Sequence, residues 1–441
     1  MIKGDPRVIR AWTMYDWANS AYSLTITSAI FPIYYAAITT TDGGMDKVLA
    51  EHGLPAASLQ SYTLSMGFLL VAAIAPLLSG IADHRGNKKN YLKFFCYLGA
   101  ASCAGLFFFT YANLWMGLVL FMLACVGFSG SLIFYDAYLP EIAEPKDHDR
   151  VSARGYAMGY IGSVILLVIN LAMVMKPELF GIPDREGLAA RLSFLSVGIW
   201  WAGWAQITFR RLPDSEVPQE ARKHTLIAGY RELRKVWRQM LGMDRLRRFL
   251  VAFFVFNMGV QTVMYLAVTY AKQEIKEPDG SPIPDSGLII SILLIQLVAA
   301  VGALAFVRLS RRFGNIAALI IGLVIWTGIC LAAWRIASTN SFYVLAACVG
   351  LVMGGTQALS RSTYAKLLPE TADHASFFSF YDVSFYLATV LGTLAFGLVN
   401  QLTGDIRNTI IAIGAFFVVG ALLLLRVPSD KGIAPATGRT R

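Results

Sequence analysis

The chain has 441 residues, of which 56% are hydrophobic and only 15% are charged. A water-soluble protein carries about a quarter charged residues, so this composition excludes an ordinary soluble domain. The net charge of +10 does not indicate nucleic-acid binding, because the basic residues are segregated along the chain in a way that reports membrane topology.

Long apolar stretches of about 20 residues each have the length needed to cross a bilayer. They lie at 12–38, 59–82, 91–111, 114–137, 153–175, 191–210, 248–271, 286–308, 315–336, 341–366, 376–399 and 407–426. The sequence therefore predicts an all-α integral membrane protein, with twelve transmembrane helices in two groups of six.

Lysine and arginine are abundant in every second predicted loop and scarce in the loops between. With the N-terminus in the cytoplasm, 30 of the 38 fall on the cytoplasmic side. The other eight are Lys47, Lys176, Arg185, Arg191, Lys272, Lys276, Arg335 and Arg407. This asymmetry places both termini in the cytoplasm. We expect a bacterial inner (cytoplasmic) membrane, with the first helix as an uncleaved anchor.

The first predicted helix begins with a polar stripe. In YDWANSAYS (15–23), Asp16, Asn19, Ser20 and Ser23 share one helical face. A charged residue in a membrane helix costs roughly 2.5–3.5 kcal/mol on insertion scales. Such a residue usually faces a partner or a water-filled cavity, so this stripe predicts a cavity inside the protein.

The loop between the second and third helices reads GIADHRGNKK (80–89). Its pattern is that of the signature loop of the major facilitator superfamily, which the chain resembles. The matching residues are Gly80, Asp83, Gly86, Lys88 and Lys89. The glycines permit a tight turn and close helix approach, and the aspartate can bind helix N-terminal amides or a cation from the opposite half. The second half has a degenerate copy, RLSRRFG (308–314), with Arg311 in place of the aspartate.

The two halves also repeat weakly, since LPE recurs at 139–141 and 368–370. We predict a first bundle at 1–210, a cytoplasmic linker at 211–247, and a second bundle with a short tail at 248–441. In the linker, Leu226, Tyr230, Leu233 and Trp237 recur at helical spacing opposite basic residues. This predicts an amphipathic helix on the membrane surface; a mobile linker with nascent helicity is the alternative.

Four stretches carry a narrower resemblance that covers nearly the whole chain. They are YDWANSAY (15–22), FYDAYLPEIA (134–143), NMGVQT (257–262) and GGTQALSRS (354–362). They resemble the vacuole-effluxer-like family, which comprises the autophagy-related vacuolar effluxers of fungi and their bacterial relatives. That family commonly has aspartate where Asn257 stands and asparagine where Asp136 stands. The resemblance implies secondary transport, with amino-acid export from vacuoles as the fungal precedent.

Few charged residues lie inside the predicted helices. Asp16, Asp136, Arg361 and Asp382 all fall in the cytoplasmic half of the membrane. Our hypothesis is that Arg361 pairs with one or more of these aspartates when the cytoplasmic side is closed, and that protonation of an aspartate opens it. Alternatively, Asp136 and its neighbour Glu141 simply sit at the interface and bind loop amides or water.

Asp16 and a set of neutral polar residues are expected to recognise the solute. The candidates are Asp16, Asn19, Ser20, Tyr156, Tyr160, Asn257, Gln261, Gln357 and Tyr386. Amide and hydroxyl groups suit a small polar or zwitterionic solute such as an amino acid. Some of these side chains could instead bridge helices.

Several motifs are absent from the sequence. It has no phosphate-binding loop for ATP, no hydrolase or metalloprotease motif and no metal-ligand spacing, and all five histidines lie outside the predicted membrane helices. We therefore expect no enzyme activity, no cofactor and no metal. The prediction is a monomeric alternating-access transporter whose partners are its solute, membrane lipids and, if coupled, protons. A lipid or amphiphile transporter on the same fold is the main alternative, and a transporter-like receptor or scaffold the more distant one.

Overall fold

The structure is a computed structural model, and it describes residues 3–41, 44–183, 187–214, 225–277, 280–281, 283–403 and 406–428. These residues form long helices joined by loops. The first bundle contains α1 (Pro6–Thr39), α2 (Ala56–Arg85), α3 (Lys88–Gly105), α4 (Leu114–Asp136), α5 (His148–Met175) and α6 (Leu188–Arg211). The second contains α7 (Asp244–Glu274), α8 (Asp285–Phe313), α9 (Asn315–Arg335), α10 (Thr339–Leu367), α11 (His374–Thr403) and α12 (Ile406–Leu425).

Twelve helices in two bundles of six are thus present, as the sequence predicts. Within the described residues, 11 helices are long and apolar enough to cross a membrane by length and composition. The other is α6, which has 24 residues and includes three tryptophans. Its Trp201 is completely buried, and α6 packs against α1 and α3 of the same bundle. Its place in the bundle, more than its hydropathy, identifies it as the sixth helix.

Three helices of each bundle form most of the packing contact between the two bundles. In the first bundle α5 packs against α8 and α10, while α2 and α4 pack against α11. We call the face that carries loop 80–89, loop 143–147 and loop 368–373 the signature-loop face. The chain begins there too, because the amide of Gly4 donates to the carbonyl of Ile142 at 2.8 Å.

Helix α1 changes its hydrogen-bonding register halfway along. It is α-helical over Pro6–Ala21, π-helical over Tyr22–Ile30 and α-helical again over Phe31–Thr39. Pro32 has no amide hydrogen to donate to the preceding turn, which favours a wider register just before it. The consequence is a broadened segment of α1 in the middle of the bundle.

The linker contains a helix at Thr225–Gly242, inside the predicted range. It packs mainly against α2, with Val236 completely buried, and Lys235 bonds to Asp373 at 2.9 Å just before α11. Tyr230 and Trp237 remain exposed, as a lipid-facing side would require. The side chain of Leu226 lies outside the described residues. The helix is therefore a packed part of the signature-loop face, and its contact with the membrane stays a prediction.

Candidate functional site

A cavity lies between the two bundles, with a volume of about 170 Å³. It is framed by α1, α2, α4 and α5 of the first bundle and by α7, α8, α10 and α11 of the second. The π-helical segment of α1 turns Ser23, Thr27 and Ser28 into this lining. Apolar side chains share the surface with these hydroxyls, among them Phe68, Phe128, Leu132, Met264 and Met353.

Eight of the nine residues predicted to recognise the solute line this cavity. They are Asp16, Asn19, Ser20, Tyr156, Tyr160, Gln261, Gln357 and Tyr386. The exception is Asn257, which lies one helical turn behind the lining. Its side-chain oxygen accepts a hydrogen bond from Gln261 at 3.2 Å, and its amide approaches the carbonyl of Phe385 at 3.5 Å. Asn257 therefore supports Gln261 from behind the lining, and a role for it in recognising the solute stays a prediction.

Arg361 of α10 ends the cavity on its signature-loop side. Its guanidinium donates to Asp136 at 3.0 Å and to Asp16 at 3.2 Å, so one cation of the second bundle joins α4 and α1 of the first. It also donates to the hydroxyl and to the carbonyl of Ser152, both at 3.0 Å. Arg361 is only 1% exposed, which makes this a buried ion-pair network.

Aromatic rings enclose the same guanidinium. The carbon at its centre lies 4.2 Å from the ring centre of Tyr156, 4.9 Å from that of Trp12 and 5.6 Å from that of Tyr135. The hydroxyl of Tyr135 donates to Asp16 at 2.8 Å. Trp12, Tyr135 and Ser152 were not singled out from the sequence, because aromatic residues in apolar helices usually signal packing alone. The rings add cation–π attraction and keep water away from the network.

Two glycines of α5 let α1 approach this network. A methyl group placed on Gly155 would lie 2.2 Å from a carboxylate oxygen of Asp16 and 2.9 Å from the Arg361 guanidinium. One on Gly159 would lie 2.4 Å from the hydroxyl of Ser20. Glycine at 155 is thus required by the space that the ion pair occupies.

Two further hydrogen bonds join the bundles beside the ion-pair network. Tyr160 of α5 donates to the side-chain oxygen of Gln357 on α10 at 2.6 Å. Tyr386 of α11 donates to the carbonyl of Ser129 on α4 at 2.9 Å and stacks on Phe68 of α2. These residues therefore line the cavity and also bridge helices, so the two interpretations raised by the sequence are compatible.

Asp382 lies in the cavity wall but apart from the ion-pair network. It is 4% exposed, and its Oδ2 is buried with no hydrogen-bond partner among the described residues. Of the three aspartates that could pair with Arg361, the structure brings together Asp16 and Asp136 and leaves this carboxylate aside.

The signature loop connects the bundles at their shared face. Gly86 ends α2 with φ of 60°, a backbone conformation that favours glycine. The carboxylate of Asp83 accepts the amides of Ala375 at 3.2 Å and Ser376 at 2.7 Å, in the first turn of α11. An acid at a helix N-terminus satisfies unpaired amides and meets the positive end of the helix dipole.

The other residues of this loop also have specific contacts. Lys88 pairs with Glu141, which in turn contacts His374 of α11 at 3.0 Å. Lys89 donates to the carbonyl of Leu212 at 2.8 Å. Gly80 lies in a buried part of α2. Both lysines are buried, so they are structural elements of the face as well as markers of topology.

The second half has an equivalent contact that the sequence did not reveal. Asp149, in the first turn of α5, accepts hydrogen bonds from Ser310 at 2.9 Å, Asn315 at 2.8 Å and Lys366 at 2.7 Å. By pseudo-symmetry, this is where the aspartate replaced by Arg311 would act. Here the acid stands on the first bundle and its partners stand on the second, so this side too has a charged contact across the bundle interface.

No group of three or more histidine, cysteine, aspartate or glutamate side chains with the arrangement of a metal site occurs in the described part of the chain. The ionisable groups of the cavity are instead available for charge pairing and for polar recognition of a solute.

Comparison with known families decides the assignment. The model of the family described as "Vacuole effluxer Atg22 like" matches residues 4–437. The chain belongs to this family.

Two relatives illustrate the similarity, each matched over more than nine-tenths of its length. An uncharacterised transporter of the major facilitator type, YxiO of Bacillus subtilis, is 32% identical over 434 residues, covering 98% of this chain and 97% of the relative. Autophagy-related protein 22-1 of Phaeosphaeria nodorum is 24% identical over 522 residues, covering 97% and 91%.

The fold is shared with solved transporters. The human organic anion transporter MFSD10 superposes with a TM-score of 0.71 at 15% identity, covering 96% of this chain and all (100%) of that one. The family match and the 32% identical relative of the major facilitator type show that this chain is an integral membrane transporter of the major facilitator superfamily and not an enzyme. The resemblance inferred from the signature loop and from YDWANSAY is confirmed.

Proposed function

We propose that this protein exports a small polar solute of the amino-acid type by alternating access between its two bundles. The observation that carries the proposal is the burial of Arg361 between Asp16 and Asp136 of the other bundle. With the signature-loop face in the cytoplasm, this network closes the cytoplasmic end of the cavity, and the structure corresponds to a state closed on that side.

The lining of the cavity supports a small polar solute over a lipid. Carboxylate, amide and hydroxyl groups face the same space as a few apolar side chains. An acyl chain there would leave these buried polar groups without partners, which costs free energy. A solute the size of an amino acid could instead bond to the polar groups and place an apolar side chain against Phe68 or Met353.

We also propose proton coupling, which is supported by the ratio of two carboxylates to one guanidinium in the ion-pair network. Two carboxylates share one guanidinium, so opening the signature-loop face leaves Asp16 and Asp136 without their common partner. Proton uptake by one of them would offset the loss of that pairing, which links opening to protonation. Export is inferred from the family, which is described as vacuole effluxer-like.

We also propose the bacterial inner membrane as location, with both termini cytoplasmic, and a monomer as the working unit. The charge asymmetry of the loops supports this orientation. The cavity is built from a single chain, so no second copy is needed to complete it.

The test is counterflow in liposomes that contain the purified protein and a panel of labelled neutral and basic amino acids and their derivatives. Saturable exchange of one solute class is expected. Asp16→Asn should keep saturable exchange at a reduced rate, because Arg361 retains Asp136, and should lose accumulation driven by a proton gradient. If no solute is exchanged by protein that is folded and inserted, the proposal of small-solute transport fails. Accumulation by Asp16→Asn equal to that of wild type would remove Asp16 from coupling.

A further inference from the structure

The charged groups that line the cavity are unequal in number. Among the described lining residues are three carboxylates, those of Asp16, Asp136 and Asp382, and one guanidinium, that of Arg361. Arg361 is already paired with Asp16 and Asp136. A solute carboxylate would find no cation there without a partner, whereas a solute cation would find an available carboxylate.

Asp382 is that carboxylate. Its side chain is nine-tenths buried, its Oδ2 has no hydrogen-bond partner in the described structure, and it lines the cavity. A buried carboxylate without a partner is unfavourable, and a bound cation offsets the cost. The rings of Tyr381, Phe385 and Tyr386 line the cavity on the same helix, and aromatic faces also attract cations.

Two amide side chains in the lining, one in each bundle, also have buried atoms without a hydrogen-bond partner. The side-chain oxygen of Gln296 on α8 is an acceptor without a partner among the described residues, and the side-chain nitrogen of Asn19 on α1 is a donor without one. Among the fully buried amide and carboxylate atoms of the described lining, the acceptors without a partner, on Gln296 and Asp382, thus belong to the second bundle, and the donor without one, on Asn19, belongs to the first. This polarity fits a solute with an ammonium group at one end and an uncharged oxygen acceptor at the other.

We propose that Asp382 binds the protonated amine of the transported solute, and that the preferred solutes carry a net positive charge. The inference rests on the proposed function, because it assumes that this cavity is the transport site. It also narrows that function: a cationic amine with a carbonyl oxygen is preferred over a zwitterion. The carboxylate of a zwitterion would add negative charge to a cavity that already has an excess of it.

The test compares three compounds with the same apolar side chain. Valinamide has a net positive charge, valine is a neutral zwitterion and N-acetylvaline is an anion. Binding to the purified full-length protein is measured by calorimetry at neutral pH. We expect valinamide to bind about tenfold more tightly than valine, as one charged hydrogen bond would give, and N-acetylvaline to bind most weakly.

Asp382→Asn should lower the affinity for valinamide by about tenfold and reduce the difference among the three compounds. Asp382→Glu retains the charge and should restore part of the preference, which separates a binding role from a folding defect. Asp147→Asn is the charge-matched control, because Asp147 pairs with Arg150 on the outside of the first bundle. It should leave all three affinities unchanged.

Binding of valine as tight as that of valinamide, an unchanged preference in Asp382→Asn, or no binding of any of the three to folded protein would overturn the inference. The counterflow assay separates this from failure of the proposed function. Exchange of zwitterions in preference to amides would reject the cation subsite and leave the transporter proposal intact. A complete lack of exchange across the panel would reject the transporter proposal itself.

Discussion

At the scale of single residues, Arg361 organises the site. Its guanidinium contacts two carboxylates, one hydroxyl, one carbonyl and three aromatic rings, all from the other bundle. Removing one partner from a buried ion pair typically costs about 3–5 kcal/mol, because the remaining charge stays buried. Small substitutions beside this network should therefore have large effects on stability and transport. Gly155 is such a position, because it leaves no room for a side chain next to Asp16.

Gly155→Ala is expected to impair transport. The added methyl group would lie 2.2 Å from Asp16 and force the carboxylate away from Arg361, weakening the network by about 1.5–3 kcal/mol, the value of one charged hydrogen bond. We expect counterflow to slow by about tenfold and the melting temperature to fall. Gly203→Ala is the matched control, since nothing lies within 4 Å of the methyl group that it would add. Equal counterflow rates and melting temperatures of the two variants would show that α1 and α5 can separate without breaking the contact between Asp16 and Arg361.

At the scale of helices, close approach depends on glycine where two backbones touch. In the second bundle α8 and α10 pack so closely that a methyl group on Gly354 would lie 2.0 Å from the carbonyl oxygen of Ala299. The same holds for Gly302 against the carbonyl of Leu351, also at 2.0 Å. Small residues at such crossings allow van der Waals packing that stabilises helix pairs inside a membrane.

Gly354→Ala should therefore destabilise the second bundle. The contact is with backbone, which cannot rotate away, so the two helices have to shift at a cost of roughly 1–3 kcal/mol. Thermal unfolding in detergent measures the effect as a lower melting temperature. Gly328→Ala, in α9 of the same bundle, adds its methyl group to open space and should melt like wild type or slightly higher. An unaltered melting temperature for Gly354→Ala would mean that the helices are less tightly packed than described.

At the scale of the whole molecule, the charged contacts between bundles gather on one side. Asp83 accepts amides of α11, Asp149 accepts Lys366 and Asn315, and Arg361 joins Asp16 to Asp136. The first two lie at helix ends on the signature-loop face and the third lies between them and the cavity. Rocking of the bundles would have to break all three, so each of them favours the closed state.

Asp149→Asn should populate the state open on the signature-loop face. Losing the charged hydrogen bond to Lys366 is expected to raise that population by about tenfold or more. The measurement is alkylation of Ala358→Cys, a position buried between the bundles, by a water-soluble maleimide. The background should carry Cys348→Ser, because Cys348 is the exposed native cysteine.

The control for this experiment is Asp147→Asn, two residues away. Asp147 pairs with Arg150 of the same bundle on its outer surface, so this pair does not join the two bundles. The control variant should leave the alkylation rate unchanged. Equal rates in wild type and Asp149→Asn would show that the contacts of Asp83 and Arg361 hold the face closed without Asp149.

The sequence by itself determined the membrane helices, the two-bundle fold and the family. An apolar segment of bilayer length has to satisfy its backbone hydrogen bonds within the membrane, and outside a β-barrel only the α-helix does this. The signature loop and YDWANSAY are local motifs that can be recognised without tertiary information. Eight of the nine solute candidates that the sequence suggested line one cavity, since polar residues on one helical face of a membrane segment need a polar environment. Their role in recognising the solute stays a prediction.

Only the tertiary structure decided which residues meet. Arg361 and Asp16 are 345 positions apart, so their pairing depends on how the bundles pack. The same applies to the need for glycine at 155, to the place of Asn257 behind Gln261, and to the contact of Asp149 with Lys366. Side-chain partners across an interface follow from distances in space, and a chain read in one dimension contains no such distances.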